Sequence, residues 1–345
     1  MFSFGSLEKG KILCWIIKAR RGDPQVKRIA VVTSGGDAPG MNAAIRAVTR
    51  IGCSRGLEVL GFERGWEGLI ANMVRPLTPR SVGGIINLGG TILLTSRCLD
   101  FKKREGIRKA AATLAKNRVD GLVVIGGNGS FAGSCELAKE SDVRIVGIPA
   151  TIDNDVYGTD ETIGFDTAAN TAVDEIDKIR DTAISHERVF IVEVMGRTRG
   201  FLAAAVGLTV GAEVILVPEV PYSKDKVVQV LEENAAKGKK SSIIVAAEGI
   251  GDTRKLAREL EEETGSEVRL SILGYAQRGG TPTMRSRLLA SMFSNKAIDV
   301  LLDGQENSVV GLQNGNITTT ELEKSCRTKK ELNLDLLQLA QVLAT

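Results

Sequence analysis

Short apolar runs rich in β-branched residues alternate with longer stretches of helical periodicity from Lys27 to about Gly311. The strand-like runs fall at residues 29–32, 122–125, 143–148, 189–194, 214–217, 243–246 and 269–274. Helical spacing is clearest over 166–184, where Ala172, Ile176, Ile179 and Ala183 share one face. Segments 223–236 (Val227, Val230, Leu231) and 283–302 (Leu288, Leu289, Met292, Ala297, Val300, Leu301) show the same spacing. Near-continuous apolar strands separated by helices predict βαβ units and largely parallel sheets, an α/β class. A chain of 345 residues has room for roughly two such domains.

Chemistry concentrates just after the strand-like runs, where open α/β sheets bind their ligands. Run 143–148 leads into Pro149-Ala150-Thr151-Ile152-Asp153-Asn154-Asp155. Two acids two positions apart form a compact negative cluster that needs a cation or a proton. A bare Asp-Asn-Asp also serves as a turn that caps the next element, so its surroundings decide. Run 29–32 leads into Thr33-Ser34-Gly35-Gly36-Asp37-Ala38-Pro39-Gly40-Met41-Asn42 and a helix. Run 122–125 leads into Gly126-Gly127-Asn128-Gly129-Ser130 and another helix. A third glycine-rich stretch, 89–97, ends on Arg97. Such loops let backbone N–H groups approach an anion, and the helix N-terminus adds partial positive charge. The first of them is neither a Walker A loop nor a G-x-G-x-x-G motif. Together with the acidic turn they supply the parts of a nucleotide-phosphate and magnesium site.

Four arginines stand near strand ends: Arg188 and Arg197 around 189–194, and Arg269 and Arg278 around 270–274. Each alone reads as a solvated charge. Beside Glu248, a hydroxyl acceptor, they suit a clamp for a phosphorylated sugar.

Composition narrows the chemistry further. One histidine, His186, leaves neither a zinc site nor a histidine triad much to work with, so a base must be a carboxylate. Five cysteines without a C-x-x-C spacing suit a reduced cytoplasm. A net charge of +3 argues neither for nor against nucleic acid, none is expected as a partner, and no apolar run is long enough to cross a membrane. Residues 1–26 read as an extension ahead of the fold, a disordered arm or a start-site artefact.

These motifs, with Val192-Glu193-Val194-Met195-Gly196-Arg197 and Gln277-Arg278-Gly279-Gly280-Thr281-Pro282, make the chain resemble the bacterial-type ATP-dependent 6-phosphofructokinases over about residues 27–320. The resemblance implies two similar three-layer α/β sandwich domains. Residues 27–164 plus 277–327 would bind ATP, and 165–276 plus 328–345 the sugar phosphate. It implies a cytoplasmic glycolytic kinase, usually a homotetramer, that moves the γ-phosphoryl of ATP to the 1-hydroxyl of fructose 6-phosphate. Carried over by motif, Asp153 is the base, flanked by Thr151 and Arg197, and Asp155 with Asn128 holds Mg2+. Gly36, Arg97, Cys98, Asn128, Gly129 and Ser130 would hold ATP. Met195, Gly196, Arg197 and Glu248 would meet the sugar. Tyr275 and Arg278 would grip its phosphate, with Arg188 and Arg269 arriving from the neighbouring subunit. An effector site for ADP or phosphoenolpyruvate would use Arg46, Arg50, Arg180, Glu213, Lys237 and Lys239.

The chain departs from the family pattern at several positions. Asn128 stands where an aspartate is usual, which removes a full charge from the metal side. Tyr275 replaces a common histidine, and Ser286 an aspartate. Gly129 and Ala150 are small where pyrophosphate-using relatives carry an acid and a lysine, which favours ATP as donor. Two alternatives follow: a catalytically weak binding or regulatory paralogue owing to Asn128, or pyrophosphate as donor.

Overall fold

The computed structural model describes residues 26–305 and 307–344. The extension expected over 1–26 lies outside the described residues except for Val26, which is buried. The strands of the larger sheet are β1 (Arg28–Thr33), β2 (Glu58–Phe62), β3 (Val74–Leu77), β4 (Gly121–Gly126), β5 (Arg144–Thr151) and β6 (Ile163–Gly164). A smaller sheet holds β7 (Val189–Val194), β8 (Val214–Leu216), β9 (Ser242–Ala247) and β10 (Val268–Ile272). The chain then returns to the larger sheet with β11 (Ser308–Gln313) and β12 (Asn316–Glu321).

The helices are α1 (Met41–Ser54), α2 (Gly65–Ile70), α3 (Arg104–Lys116), α4 (Asn128–Ala138), α5 (Phe165–His186) and α6 (Phe201–Thr209). They continue with α7 (Lys224–Ala236), α8 (Thr253–Thr264), α9 (Met284–Leu302), α10 (Leu322–Arg327) and α11 (Asp335–Ala344). Among the described residues no helix is long and apolar enough to cross a membrane.

The larger sheet runs β12-β11-β5-β4-β1-β2-β3, with β6 paired to β5. Strands β1, β4 and β5 are parallel and in register, Val31 against Val123 and Val123 against Val146. Their apolar residues are buried on both faces, which is why they read as unbroken hydrophobic runs. Gly147 interrupts the run in β5 because a Cβ there would come within 2.5 Å of the Phe131 ring. From β1 the chain builds outward to β2 on one side, whereas β4 and β5 extend the other side. The crevice between β1 and β4 is therefore a topological switch point.

The smaller sheet runs β10-β7-β9-β8, all parallel, and reverses direction between β7 and β9 in the same way. Both sheets are covered by helices, with α5 packing on α6 and α9. The seven expected runs are strands β1, β4, β5 and β7–β10, and the three expected helices are α5, α7 and α9.

Candidate active site

Parallel register brings the three chemical loops of the larger sheet side by side. Ile125 lies opposite Thr33, and Gly126 opposite Pro149, so the segments after β1, β4 and β5 leave one edge together. A side chain at Gly126 would put its Cβ 2.6 Å from the Ser34 carbonyl oxygen, so only glycine lets these loops close up. On the smaller sheet, Val194 pairs with Ala247, which places Met195–Arg197 beside Glu248. The turn Gly274–Arg278 follows β10 at the same end.

The two edges share a cleft of about 210 Å³. It gathers Gly36, Arg97, Asn128, Gly129, Ser130, Thr151, Asp153, Asp155, Met195, Arg197, Glu248, Tyr275 and Arg278 from the sequence expectation.

Asp153 lies at its centre and is 8% exposed. Burial, and then the neighbouring Asp155 charge, push its carboxyl up to about 6. Arg197 opposes this, Glu248 reinforces it, and Arg278 opposes it more weakly. The Arg197 Nε stands 3.5 Å from Asp153 Oδ2. Asn154 explains how two acids share one turn. It takes φ 51°, a left-handed conformation that asparagine tolerates. Its amide Nδ2 donates to the Asp160 carbonyl (3.1 Å), and its Oδ1 accepts from Thr162 N–H (3.0 Å). The Asp153 N–H donates to Thr151 Oγ1 at 3.2 Å.

Opposite, Glu248 Oε1 accepts from the backbone N–H groups of Arg197 (2.6 Å) and Gly196 (3.3 Å). One of its oxygens is thus committed to shaping the loop. Arg278 pairs with Asp37 and lies 5.6 Å from the centroid of the Tyr275 ring, a cation–π arrangement.

The start of α4 is built for an anion. Its N-cap, Gly127, offers no side-chain acceptor, so the Asn128 and Gly129 N–H groups are left open, while that of Ser130 donates to the Gly127 carbonyl at 2.9 Å. The buried hydroxyl of Ser130 has no hydrogen-bond partner. Both features suit phosphate oxygens.

The Asn128 Nδ2 donates to the Asp155 carbonyl at 3.1 Å, leaving its Oδ1 uncommitted. Among the described residues no group of three or more acidic, histidine or cysteine side chains could hold a metal ion. Asp155 and the Asn128 oxygen fit Mg2+, a hard cation that commonly takes one or two protein oxygens and completes its shell with phosphate and water.

Cys98 lines a neighbouring pocket of about 810 Å³, which shares Gly129 with the cleft. Sequence reasoning missed most of this pocket. Trp66 and Phe101 stack in it, with centroids 4.3 Å apart and planes 7° apart; Lys102 adds positive charge, while Arg104 is paired with Glu140 at 2.6 Å. An apolar, aromatic floor with basic residues suits a planar base carrying phosphates. The basic run after Phe101 was the available signal, but Trp66 joins it only through the fold.

Arg188 and Arg269 do not line the cleft. Both pair with Glu267 near the amino ends of β7 and β10, about 20 Å along the strands from Met195. Of the expected effector residues, Arg46 and Arg50 lie on α1. The Arg180 Nη2 donates to the Val210 carbonyl (2.5 Å), and the buried Glu213 pairs with Lys239 (2.5 Å). Lys237 caps the C-terminus of α7. Ser286 is fully buried in a hydroxyl network with Thr167 (2.8 Å), where a carboxylate would be costly.

A phosphofructokinase family model matches residues 28–301. The ATP-dependent 6-phosphofructokinase of Halalkalibacterium halodurans is 50% identical over 319 residues, covering 92% of this chain and 100% of that protein. The ATP-dependent 6-phosphofructokinase 1 of Thermus thermophilus is 51% identical over 321 residues, with the same coverages. Among solved structures, phosphofructokinase from Saccharomyces cerevisiae aligns with a TM-score of 0.82 at 34% identity, covering 92% of this chain and 48% of that one. A pyrophosphate-dependent phosphofructokinase from Marinobacter aquaeolei aligns with a TM-score of 0.79 at 20% identity, covering 92% of each chain, a likeness of fold alone.

Proposed function

The chain belongs to the phosphofructokinase family, and from that premise we propose how its residues phosphorylate fructose 6-phosphate with ATP in glycolysis. The observation that carries the reading is the buried Asp153, set between an open helix N-terminus on one sheet and two arginines from the other. A carboxyl with its pKa near 6 is ionised at neutral pH yet basic enough to accept a proton from a hydroxyl.

Asp153 takes the proton from the sugar 1-hydroxyl as that oxygen attacks the γ-phosphorus of ATP. Thr151 lines the same cleft beside it. Arg197 reaches the charge that develops on the transferring phosphoryl group, the largest contribution a protein makes to such a reaction. The first turn of α4, with Ser130, Gly129 and Asn128, holds the phosphates, aided by Gly36 and Arg97. The Trp66–Phe101 pocket beside Cys98 receives the base. Asp155 and the Asn128 oxygen hold Mg2+, which when bound neutralises phosphate charge. Met195, Gly196 and Glu248 position the sugar, and Arg278 exchanges Asp37 for the 6-phosphate with Tyr275 alongside.

Arg188 and Arg269 serve the cleft of a neighbouring subunit, so the working form is an oligomer with shared sites, which the family resemblance makes a homotetramer. That assignment is supported by their distance from the cleft of their own chain. Residues 27–164 plus 277–327 form the ATP half and 165–276 plus 328–345 the sugar half. Arg46, Arg50, Arg180, Glu213, Lys237 and Lys239 take a nucleoside diphosphate or phosphoenolpyruvate effector between subunits. Free Cys53, Cys98, Cys135 and Cys326 suit a cytoplasmic enzyme. Relatives near 50% identity are named as ATP-dependent, which supports ATP over pyrophosphate.

A coupled assay of fructose 1,6-bisphosphate formation tests the reading. Turnover with ATP is expected, and turnover no better than that of an Asp153→Ala variant would overturn it.

A further inference from the structure

Behind the nucleotide loop, two cysteines 191 positions apart face each other. The Cys135 Sγ on α4 and the Cys326 Sγ on α10 are 3.0 Å apart, where α10 packs on α4. Bonded sulfurs lie about 2.05 Å apart, so closure needs the two sulfurs to approach by about 1 Å. Both residues are partly exposed. Cys135 also lines an open pocket of about 540 Å³ together with Lys139 and Glu323, which gives a small reagent access.

We propose that Cys135 and Cys326 are a reversible dithiol–disulfide pair, oxidised by low-molecular-weight disulfides such as oxidised glutathione. The two thiols have distinct roles. Cys135 lines the pocket and so meets the reagent first, as the attacking thiolate. Cys326 does not line it and is the resolving thiol. The Cys135 thiolate attacks one sulfur of the small disulfide and releases one thiolate. Cys326 then loses its proton to solvent, attacks the Cys135 sulfur of the mixed disulfide and expels the second thiolate. The balance is one protein disulfide formed, one small disulfide consumed and two small thiols released.

The bond closes a ring around the phosphate end of the cleft. Cys135 shares α4 with Asn128 and Ser130. On α10, next to Cys326, the Ser325 hydroxyl donates to the Tyr157 carbonyl at 2.9 Å, two residues beyond Asp155. Asn128 completes the circuit by its bond to the Asp155 carbonyl. Oxidation therefore reports to nucleotide affinity, a consequence that rests on the ATP site assigned above.

The full-length chain, equilibrated over a range of reduced-to-oxidised glutathione ratios and alkylated, would be mapped by peptide mass spectrometry. A Cys135–Cys326 cross-linked peptide, lighter by two hydrogens and reversed by dithiothreitol, is expected. So is a rise in Tm of about 5 °C, since the bond closes a very long loop. Cys326→Ser should trap glutathione on Cys135. No cross-link at the most oxidising ratio, or an adduct on Cys53 or Cys98 instead, would overturn the pairing. Calorimetric titration with a non-hydrolysable ATP analogue should give dissociation constants differing roughly fivefold between redox states. Equal constants with the cross-link present would refute the coupling, whereas no analogue binding in either state would count against the ATP site itself.

Discussion

Asp153→Asn should leave the protein more stable and nearly inactive. Asparagine has almost the same shape and keeps an oxygen towards Arg197, so the main change is loss of a buried charge. In the fold the carboxyl is raised from its ordinary 3.8 to about 6. Between those values the folded protein holds a proton that the unfolded chain has released. Stability therefore falls as pH rises from about 4 to about 6, and stays lower above that window. At 1.36 kcal/mol per pH unit, the ionised side chain costs about 3 kcal/mol at pH 8, the most that asparagine can recover. Arg197 loses little, because its side chain is 70% exposed and water replaces the contact. Thermal unfolding of both proteins at pH 8 and near pH 4 reads the effect. The variant should gain several degrees at pH 8 and almost nothing at pH 4. Turnover should fall by about 10²- to 10⁴-fold, the usual loss when a general base is removed. A variant less stable at pH 8, or equally stabilised at both pH values, would refute the argument that burial raises this carboxyl.

Asn128→Asp should tighten magnesium. An added unit charge facing a divalent ion at about 4 Å gives about 2 kcal/mol in water. The magnesium concentration for half-maximal rate should fall by up to about thirtyfold, and an unchanged value would show that Asn128 does not face the metal. Gly133→Val should crowd the aromatic pocket, since a Cβ there already stands 3.2 Å from Phe101 and Trp66. It should raise the KM for ATP and leave that for fructose 6-phosphate unchanged; the reverse pattern would place the base elsewhere. Asp153→Asn and Arg269→Ala, each inactive alone, should regain part of the wild-type rate when unfolded and refolded together. No recovery in mixed oligomers would count against sites shared between subunits.

The buried parallel strands were legible because two covered faces leave an unbroken apolar run, as in β4 and β5. Strands β2 and β3 were not, since Glu58 opens β2 on a charge and Arg75 and Pro76 break the pattern in β3, an edge strand that tolerates them. The β11–β12 hairpin carried a readable mark, Asn314-Gly315, whose positive φ values of 49° and 78° fit a type I′ turn.

In the site, the acidic turn and the glycine loops could be read because the peptide chain itself sets their spacing. The Trp66–Phe101 stack and the Cys135–Cys326 pair could not. Each joins residues with no shared periodicity, brought together only once helices dock on the sheet. The effect of Asn154 was hidden for a different reason. Its neighbours are acids, yet its role is to turn the backbone between them.

The proposed role of Asp153 as base in an ATP-driven transfer to the sugar 1-hydroxyl has a direct test. Fructose 1,6-bisphosphate formation should be measured for the wild type and Asp153→Asn with ATP and with pyrophosphate under otherwise equal conditions. Product is expected from ATP alone, with a loss of about 10²-fold or more in the variant. Equal rates in the two proteins, or pyrophosphate as the better donor, would contradict it.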